Sequence, residues 1–142
     1  MGRFVYLEGV TRADAALEVL GDDLGDLFET AARALAETMV DPGTLADDCE
    51  RAVELAAPEL DLLLFDWLSE IIYRKDADRE VFPRAEVRIE GSGPYRLVAV
   101  LHGGPLDPET TEVRADLKAV TLHRFTLEAA GHGWRAQFVV DV

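Results

Sequence analysis

The chain has one cysteine, Cys49, in 142 residues. An internal disulfide is excluded, and with no Cys or His at ligand spacing beside it so are zinc and thiol-redox motifs. Cys49 reads as a small strand residue. Lysine is nearly as scarce, since Lys75 and Lys118 are the only two lysines among 14 basic residues. The net charge is −14, which argues against direct nucleic-acid binding, because affinity for phosphates comes largely from Lys and Arg displacing counterions. A cation or a basic partner suits this surface better, and growth in high salt would produce the same acidic excess. No stretch approaches the roughly 18 uninterrupted apolar residues of a membrane span. The opening Met1-Gly2-Arg3-Phe4-Val5-Tyr6-Leu7-Glu8 enters a strand pattern with an acid in it rather than a basic, apolar leader. The expectation is a soluble cytoplasmic protein. Repeats, low-complexity tracts and Ser/Gly linkers are missing, so residues 1–142 read as a single domain with room for a proper core.

Recognisable catalytic apparatus is also scarce. Ser69 and Ser92 lack an evident base or oxyanion arrangement. The runs Gly91-Ser92-Gly93-Pro94 and His102-Gly103-Gly104-Pro105 lack the strand-to-helix setting of a phosphate loop and read as turns. His102, His123 and His132 form no metal-holding spacing. His123 falls on an apolar strand face, as a hydrogen-bonded core residue, and His132 in a solvated turn. Asp22-Asp23 and Asp47-Asp48 read as helix-start and loop charges.

What is present is periodicity. Residues 4–9 and 13–20 look like two strands, with Ala15, Leu17 and Val19 on one face and Asp14, Ala16, Glu18 and Leu20 on the other. A helix over 23–40 follows from Asp23 as N-cap and from Leu24, Leu27, Phe28, Ala31, Leu35 and Met39 at helical spacing; Asp41-Pro42-Gly43 stops it. Val53, Leu55 and Ala57 suggest a strand. Leu60, Leu63, Leu64, Trp67, Leu68, Ile71 and Ile72 mark a second helix over 59–74, with Lys75 at its solvated end. Strands at 85–90, 95–102, 117–128 and 134–142 complete the chain. Two helices on one face of a largely antiparallel sheet, an α+β two-layer domain, is the economical packing.

The last two strands form a β-hairpin around Ala129-Ala130-Gly131-His132-Gly133. Keeping both apolar faces on one side favours Leu127 opposite Trp134, Phe125 opposite Ala136 and His123 opposite Phe138. Asp141 then falls opposite Val120, and Lys118 becomes its diagonal neighbour on the outer face, about 7 to 8 Å away. A lysine, an aspartate and the carboxylate of Val142 converge at one sheet end. Geometry alone also admits a solvated ion pair there, worth about 0 to 1 kcal/mol.

Several of these segments, in order, resemble the archease family. They are Ala13-Asp14 followed by Gly21; Leu27-Phe28-Glu29-Thr30-Ala31-Ala32-Arg33-Ala34-Leu35 ending in Met39-Val40-Asp41-Pro42; and Leu62-Leu63-Leu64-Phe65-Asp66-Trp67-Leu68-Ser69-Glu70. After them come Gly103-Gly104-Pro105-Leu106-Asp107-Pro108, Lys118-Ala119-Val120-Thr121-Leu122-His123 and the closing Trp134 to Val142. The resemblance implies an accessory protein rather than an enzyme: one that assists the RtcB-type RNA ligase of tRNA splicing and RNA repair, promoting ligase guanylylation and so multiple turnover. It also implies a divalent-metal site, calcium by the oxygen chemistry, at Asp14, Asp141 and Val142, and a functionally required lysine at Lys118. Hard cations want several oxygen ligands.

The chain departs from the family pattern in places. Where family members usually read Glu-His-Thr-Ala-Asp, this sequence has Val10-Thr11-Arg12-Ala13-Asp14, and where they often carry a Glu and a His it has Gly104 and Thr111. Arg12 places a fixed cation two residues from Asp14, a substitute for the metal's charge. Two other functions are compatible with the sequence: an acidic metal-dependent hydrolase of small phosphates built on the same carboxylates, and a diverged binding module with another partner.

Overall fold

The computed structural model describes residues 2–7 and 14–142. The strands are β1 (Arg3–Tyr6), β2 (Asp14–Gly21), β3 (Cys49–Ala57), β4 (Glu80–Gly91), β5 (Tyr95–Pro105), β6 (Ala119–Ala130) and β7 (Gly133–Asp141). The helices are α1 (Leu24–Met39) and α2 (Leu60–Asp78), with a 3₁₀ turn at Pro42–Thr44. This is the two-layer α+β arrangement, two helices packed on antiparallel strands, and the strand layer is divided into two sheets. One is four-stranded in the order β1-β2-β7-β6, the other three-stranded in the order β3-β5-β4.

α1 starts where its sequence says it should. The Asp23 carboxylate accepts from the Asp26 N–H at 2.8 Å, satisfying one of the orphan donors of the first turn. The helix is buried on more than one stripe, with Leu27, Phe28, Ala31, Ala32, Ala34, Leu35 and Ala36 all fully covered. It packs on β2 of one sheet, on β4 of the other and on α2, and its alanines let those neighbours approach closely. Its buried hydroxyls return to the helix itself, Thr30 to the Asp26 carbonyl and Thr38 to the Ala34 carbonyl, each at 2.7 Å. Trp67 of α2 is fully buried and donates its indole N–H to the Phe28 carbonyl at 3.0 Å, tying the helices together.

The observed boundaries differ from the sequence reading for local reasons. α2 continues to Asp78 instead of ending at 74, because no Gly or Pro interrupts it, and it closes on Arg79 in the left-handed conformation at φ 57°. β4 begins at Glu80 rather than 85 and accommodates Pro83 at a register break between Val81 and Arg84; it is an edge strand, where a missing N–H is tolerated. β5 runs through His102-Gly103-Gly104-Pro105, which is strand and not turn. A Cβ on Gly103 would sit 1.9 Å from the Val81 carbonyl oxygen, and one on Gly104 2.0 Å from that of Ala46. Close backbone approach, not a bend, is why glycine stands there. The expected strand residues 8–9 and 13 lie outside the described residues.

The terminal hairpin is also re-registered. Its loop is only Gly131-His132, with Gly131 at φ 59°, so Leu127 pairs with Ala136 and Ala129 with Trp134. The ladder then breaks: β6 spends Leu122, His123, Arg124 and Phe125 where β7 has only Phe138, and resumes with Thr121 opposite Val139 and Ala119 opposite Asp141. Phe125 is folded inward against Phe65 of α2, at 5.8 Å between ring centroids, and against Phe138. His123 is consequently exposed on the bulge and is not a core residue.

Candidate functional site

Three strand ends meet at one end of the four-stranded sheet. β2 begins at Asp14, β7 ends at Asp141, and the two residues are direct partners in the antiparallel ladder. Directly opposed residues carry their side chains on the same face, about 4.5 to 5.5 Å apart at Cβ. On the other side of β7, Ala119 pairs with Asp141, and the Lys118 N–H donates to the Asp141 carbonyl at 2.8 Å. Asp141 therefore sits between Asp14 and the Lys118-Ala119 backbone, one residue away in register from the expected partner Val120; Lys118, expected beside Asp141 on the outer face, has the parity of buried Val120 instead and meets Asp141 through its main chain. Burial alternates as Val140 inside and Asp141 outside, and Ala15 inside and Asp14 half-covered, which puts both carboxylates on the face turned away from the helices. Val142, half-buried, follows directly.

The exposed Lys118 lines a groove between α2 and β6, about 340 Å³, with Phe65, Ser69, Tyr73 and Asp76 of the helix. Lys75, expected in solvent, is 4% exposed. Its ammonium donates to Asp116 Oδ1 at 2.5 Å and to the Leu117 carbonyl at 2.7 Å, and pairs with Asp76 Oδ1 at 2.6 Å. Burial by itself would lower the lysine pKa, but the hydrogen bonds to Asp116 and Asp76 prevail and raise it; reciprocally, the Lys75 bond holds the Asp116 carboxyl below its ordinary value. The signal for this burial was available in the sequence: Lys75 lies three, four and seven residues beyond Ile72, Ile71 and Leu68, on the apolar stripe itself.

The other singled-out residues sit apart from this corner in chemistry or place. Thr111 closes a turn, its hydroxyl accepting from the Asp107 N–H at 2.9 Å. Gly104 is pinned against Ala46, so no side chain fits there. Arg12, Thr11 and Val10 lie outside the described residues. His102 bonds Glu86 at 3.1 Å on β5, in the other sheet. Burial, then the neighbouring Glu80 and Asp48, push the Cys49 thiol up to about 11, leaving it protonated and a poor nucleophile.

The comparisons with known proteins fall on this architecture along nearly its whole length. The model of the Archease protein family (MTH1598/TM1083) matches residues 4–142. The chain belongs to the archease family. It is 37% identical over 142 residues to protein archease of Methanosarcina acetivorans, covering 99% of this chain and 96% of that one. It is 35% identical over 132 residues to the archease of Pyrococcus abyssi, covering 92% and 93%. Among solved structures, the solution structure of Methanobacterium thermoautotrophicum protein 1598 matches with a TM-score of 0.80 at 27% identity, over 98% of each chain. A crystal structure from Thermotoga maritima, described as an archease and possible chaperone, shares the fold with a TM-score of 0.60 at 20% identity, over 97% of this chain and 98% of that one.

The donor set of this archease corner can be tested against a divalent cation. Asp14 and Asp141, directly opposed across the ladder, offer carboxylate oxygens on one face. That chemistry fits a hard cation such as calcium. Among the described residues no group of three or more His, Cys, Asp or Glu side chains is gathered to hold a metal, so the remaining ligands would be backbone oxygens, Val142 included, or water.

Proposed function

We propose that this archease is an accessory protein of an RtcB-type RNA ligase, acting in the cytoplasm in tRNA splicing and RNA repair by promoting guanylylation of the ligase and so its multiple turnover. The observation that carries the proposal is that Asp14 and Asp141 are opposed at one end of the sheet and that the Lys118 main chain is hydrogen-bonded to Asp141, in a chain of this family. Asp14, Asp141 and Val142 would hold a divalent cation, which supplies positive charge at the ends of β2 and β7. Lys118, just ahead of β6, supplies a second positive charge from the groove beside α2. In an otherwise acidic molecule this corner is the natural place to meet phosphate-bearing groups at the ligase's reaction centre. The protein itself carries out no chemistry in this reading.

The test is RNA joining and ligase guanylylation with the ligase of the same host, at a substoichiometric ratio of this protein. Wild type should raise multiple turnover, and Asp14→Ala, Asp141→Ala and Lys118→Ala should each abolish the effect. Stimulation by Lys118→Ala equal to wild type, or none by wild type, defeats the reading. Turnover of simple phosphate esters by this protein alone with metal would instead make it a hydrolase.

A further inference from the structure

Lys118 is delivered to its corner by an extended segment, residues 112–118, that crosses the C-terminal end of α1. Its first half is well tied: the Glu112 N–H donates to Thr44 Oγ1 at 2.9 Å, the Arg114 N–H to the Met39 carbonyl at 2.7 Å, and the Arg114 guanidinium to the Glu37 carbonyl at 2.9 Å. Its last residue is tied by the Lys118 N–H to Asp141. Between these, the side chain that grips the strap is Lys75, reaching from the final turns of α2 to Asp116 and to the Leu117 carbonyl. An ammonium has three donors, and here Asp116, Leu117 and Asp76 take all three. Past the Val40–Val113 bridge and the Ala115 N–H bond to the Met39 carbonyl at 3.3 Å, a hollow of about 220 Å³ opens beside the strap, lined by Lys75, Arg79 and Asp116 as well as by Val81. Asp76 has a second connection, since it lines the α2–β6 groove beside Lys118.

We propose that Lys75 is a positioning residue for Lys118: its ammonium clamps Asp116 and the Leu117 carbonyl to α2 and so fixes the direction in which the chain enters β6 and the place at which Lys118 is presented. The proposal rests on the reading of Lys118 as the group that acts on the ligase. A lysine is suited to the task because one charged group can satisfy a main-chain carbonyl and a carboxylate simultaneously. Leu117 is fully buried, so its carbonyl would otherwise go without a donor.

The experiment pairs a structural readout with a functional one, on the full chain. Lys75→Met keeps the length and apolar stem of the side chain and removes its donors. Asp116→Ala removes one half of the clamp from an exposed position and spares the core. Amide hydrogen exchange should show the Lys118 N–H losing protection by about tenfold or more in Lys75→Met, and less in Asp116→Ala, with β5 amides unchanged. Maximal stimulation of ligase guanylylation should fall by about tenfold to a hundredfold in Lys75→Met, since misplacement rather than lost affinity is at issue. The concentration giving half-maximal stimulation should stay within about twofold. Unchanged exchange at Lys118 in both variants overturns the clamp, and a loosened strap with full stimulation overturns its role in positioning. Full stimulation by Lys118→Ala would overturn the function reading, and the role of Lys75 with it; the exchange result would still say whether the clamp exists.

Discussion

Asp14 and Asp141 stand directly opposite each other across β2 and β7, two carboxylates that the sheet places side by side on its outer face. Carboxylate oxygens on one face are the donors that a hard cation takes. Calcium at about 100 times its Kd should therefore stabilise the protein by about 2.7 kcal/mol, raising the melting temperature by about 5 to 10 °C for a chain of this size. Asp141→Asn and Asp14→Asn should each lose most of that shift. Thermal unfolding with calcium, magnesium and manganese measures it, and an equal shift in wild type and both variants would mean that the cation binds elsewhere.

The two glycines of β5 give a prediction about the fold. Any Cβ at Gly103 or Gly104 meets a backbone carbonyl oxygen, of Val81 or Ala46, at about half a normal contact distance. Backbone cannot swing aside as a side-chain tip does, so each alanine substitution must separate β5 from its neighbours. Gly103→Ala and Gly104→Ala should each cost about 1 to 3 kcal/mol or more in urea unfolding. Wild-type stability in either would show that the strand and its neighbours are not so closely apposed.

Acid should act on two glutamates with opposite sign. Hydrogen bonds from Arg51 to the Glu80 carboxylate, at 2.6 and 3.0 Å, hold its pKa below the usual 4.5. The stability from this pair is present in full above pH 4.5 and is lost as pH falls through the lower folded value. Glu29 is shifted upward, chiefly by burial, while it accepts the Val87 N–H at 2.8 Å. Its folded form takes up a proton first, so it adds stability as pH falls from its raised value toward 4.5. Denaturation between pH 7 and 3 should show Glu80→Gln destabilised at neutral pH and converging on wild type in acid. Glu29→Gln should be at least as stable as wild type at pH 7, with its advantage gone by pH 4.5. A constant offset across that range in either variant would contradict its sign.

Much of this arrangement was legible in the residues themselves. Both helices follow from apolar spacing and from Asp23, and the alternation in β2 and β7 gave the correct faces for Asp14 and Asp141. What could not be read there was set by partners distant in sequence. The burial of Lys75 depends on Asp116 and Leu117 arriving from the other end of the chain. β5 continues through two glycines because Val81 and Ala46 press against them. The hairpin register departs from the expected one because its loop is two residues long and because Phe125 leaves the ladder to pack on Phe65 and Phe138. An even-numbered slip near the turn preserves faces, but the four-against-one bulge does not, and alternation cannot reveal such a bulge in advance.

That bulge supplies the last prediction. Arg124 lies within it at φ 55°, the left-handed region, which costs a residue with a Cβ about 1 to 2 kcal/mol. The side chain is exposed, so the conformation is imposed by the ladder on either side, which must return in register with Thr121 opposite Val139 and Ala119 opposite Asp141. Arg124→Gly should relieve the strain and, after the greater entropy that glycine loses on folding, stabilise the protein by about 0.5 to 1 kcal/mol. Arg124→Val, whose branched side chain tolerates that conformation least, should destabilise it by about 1 to 2 kcal/mol. Because the bulge sets which residue meets Asp141, amide exchange at Lys118 should quicken in Arg124→Val and be unchanged in Arg124→Gly. Denaturation curves in which the glycine variant is the less stable of the two would show that residue 124 does not hold a left-handed turn, and the pairing of Ala119 with Asp141 would then need another cause.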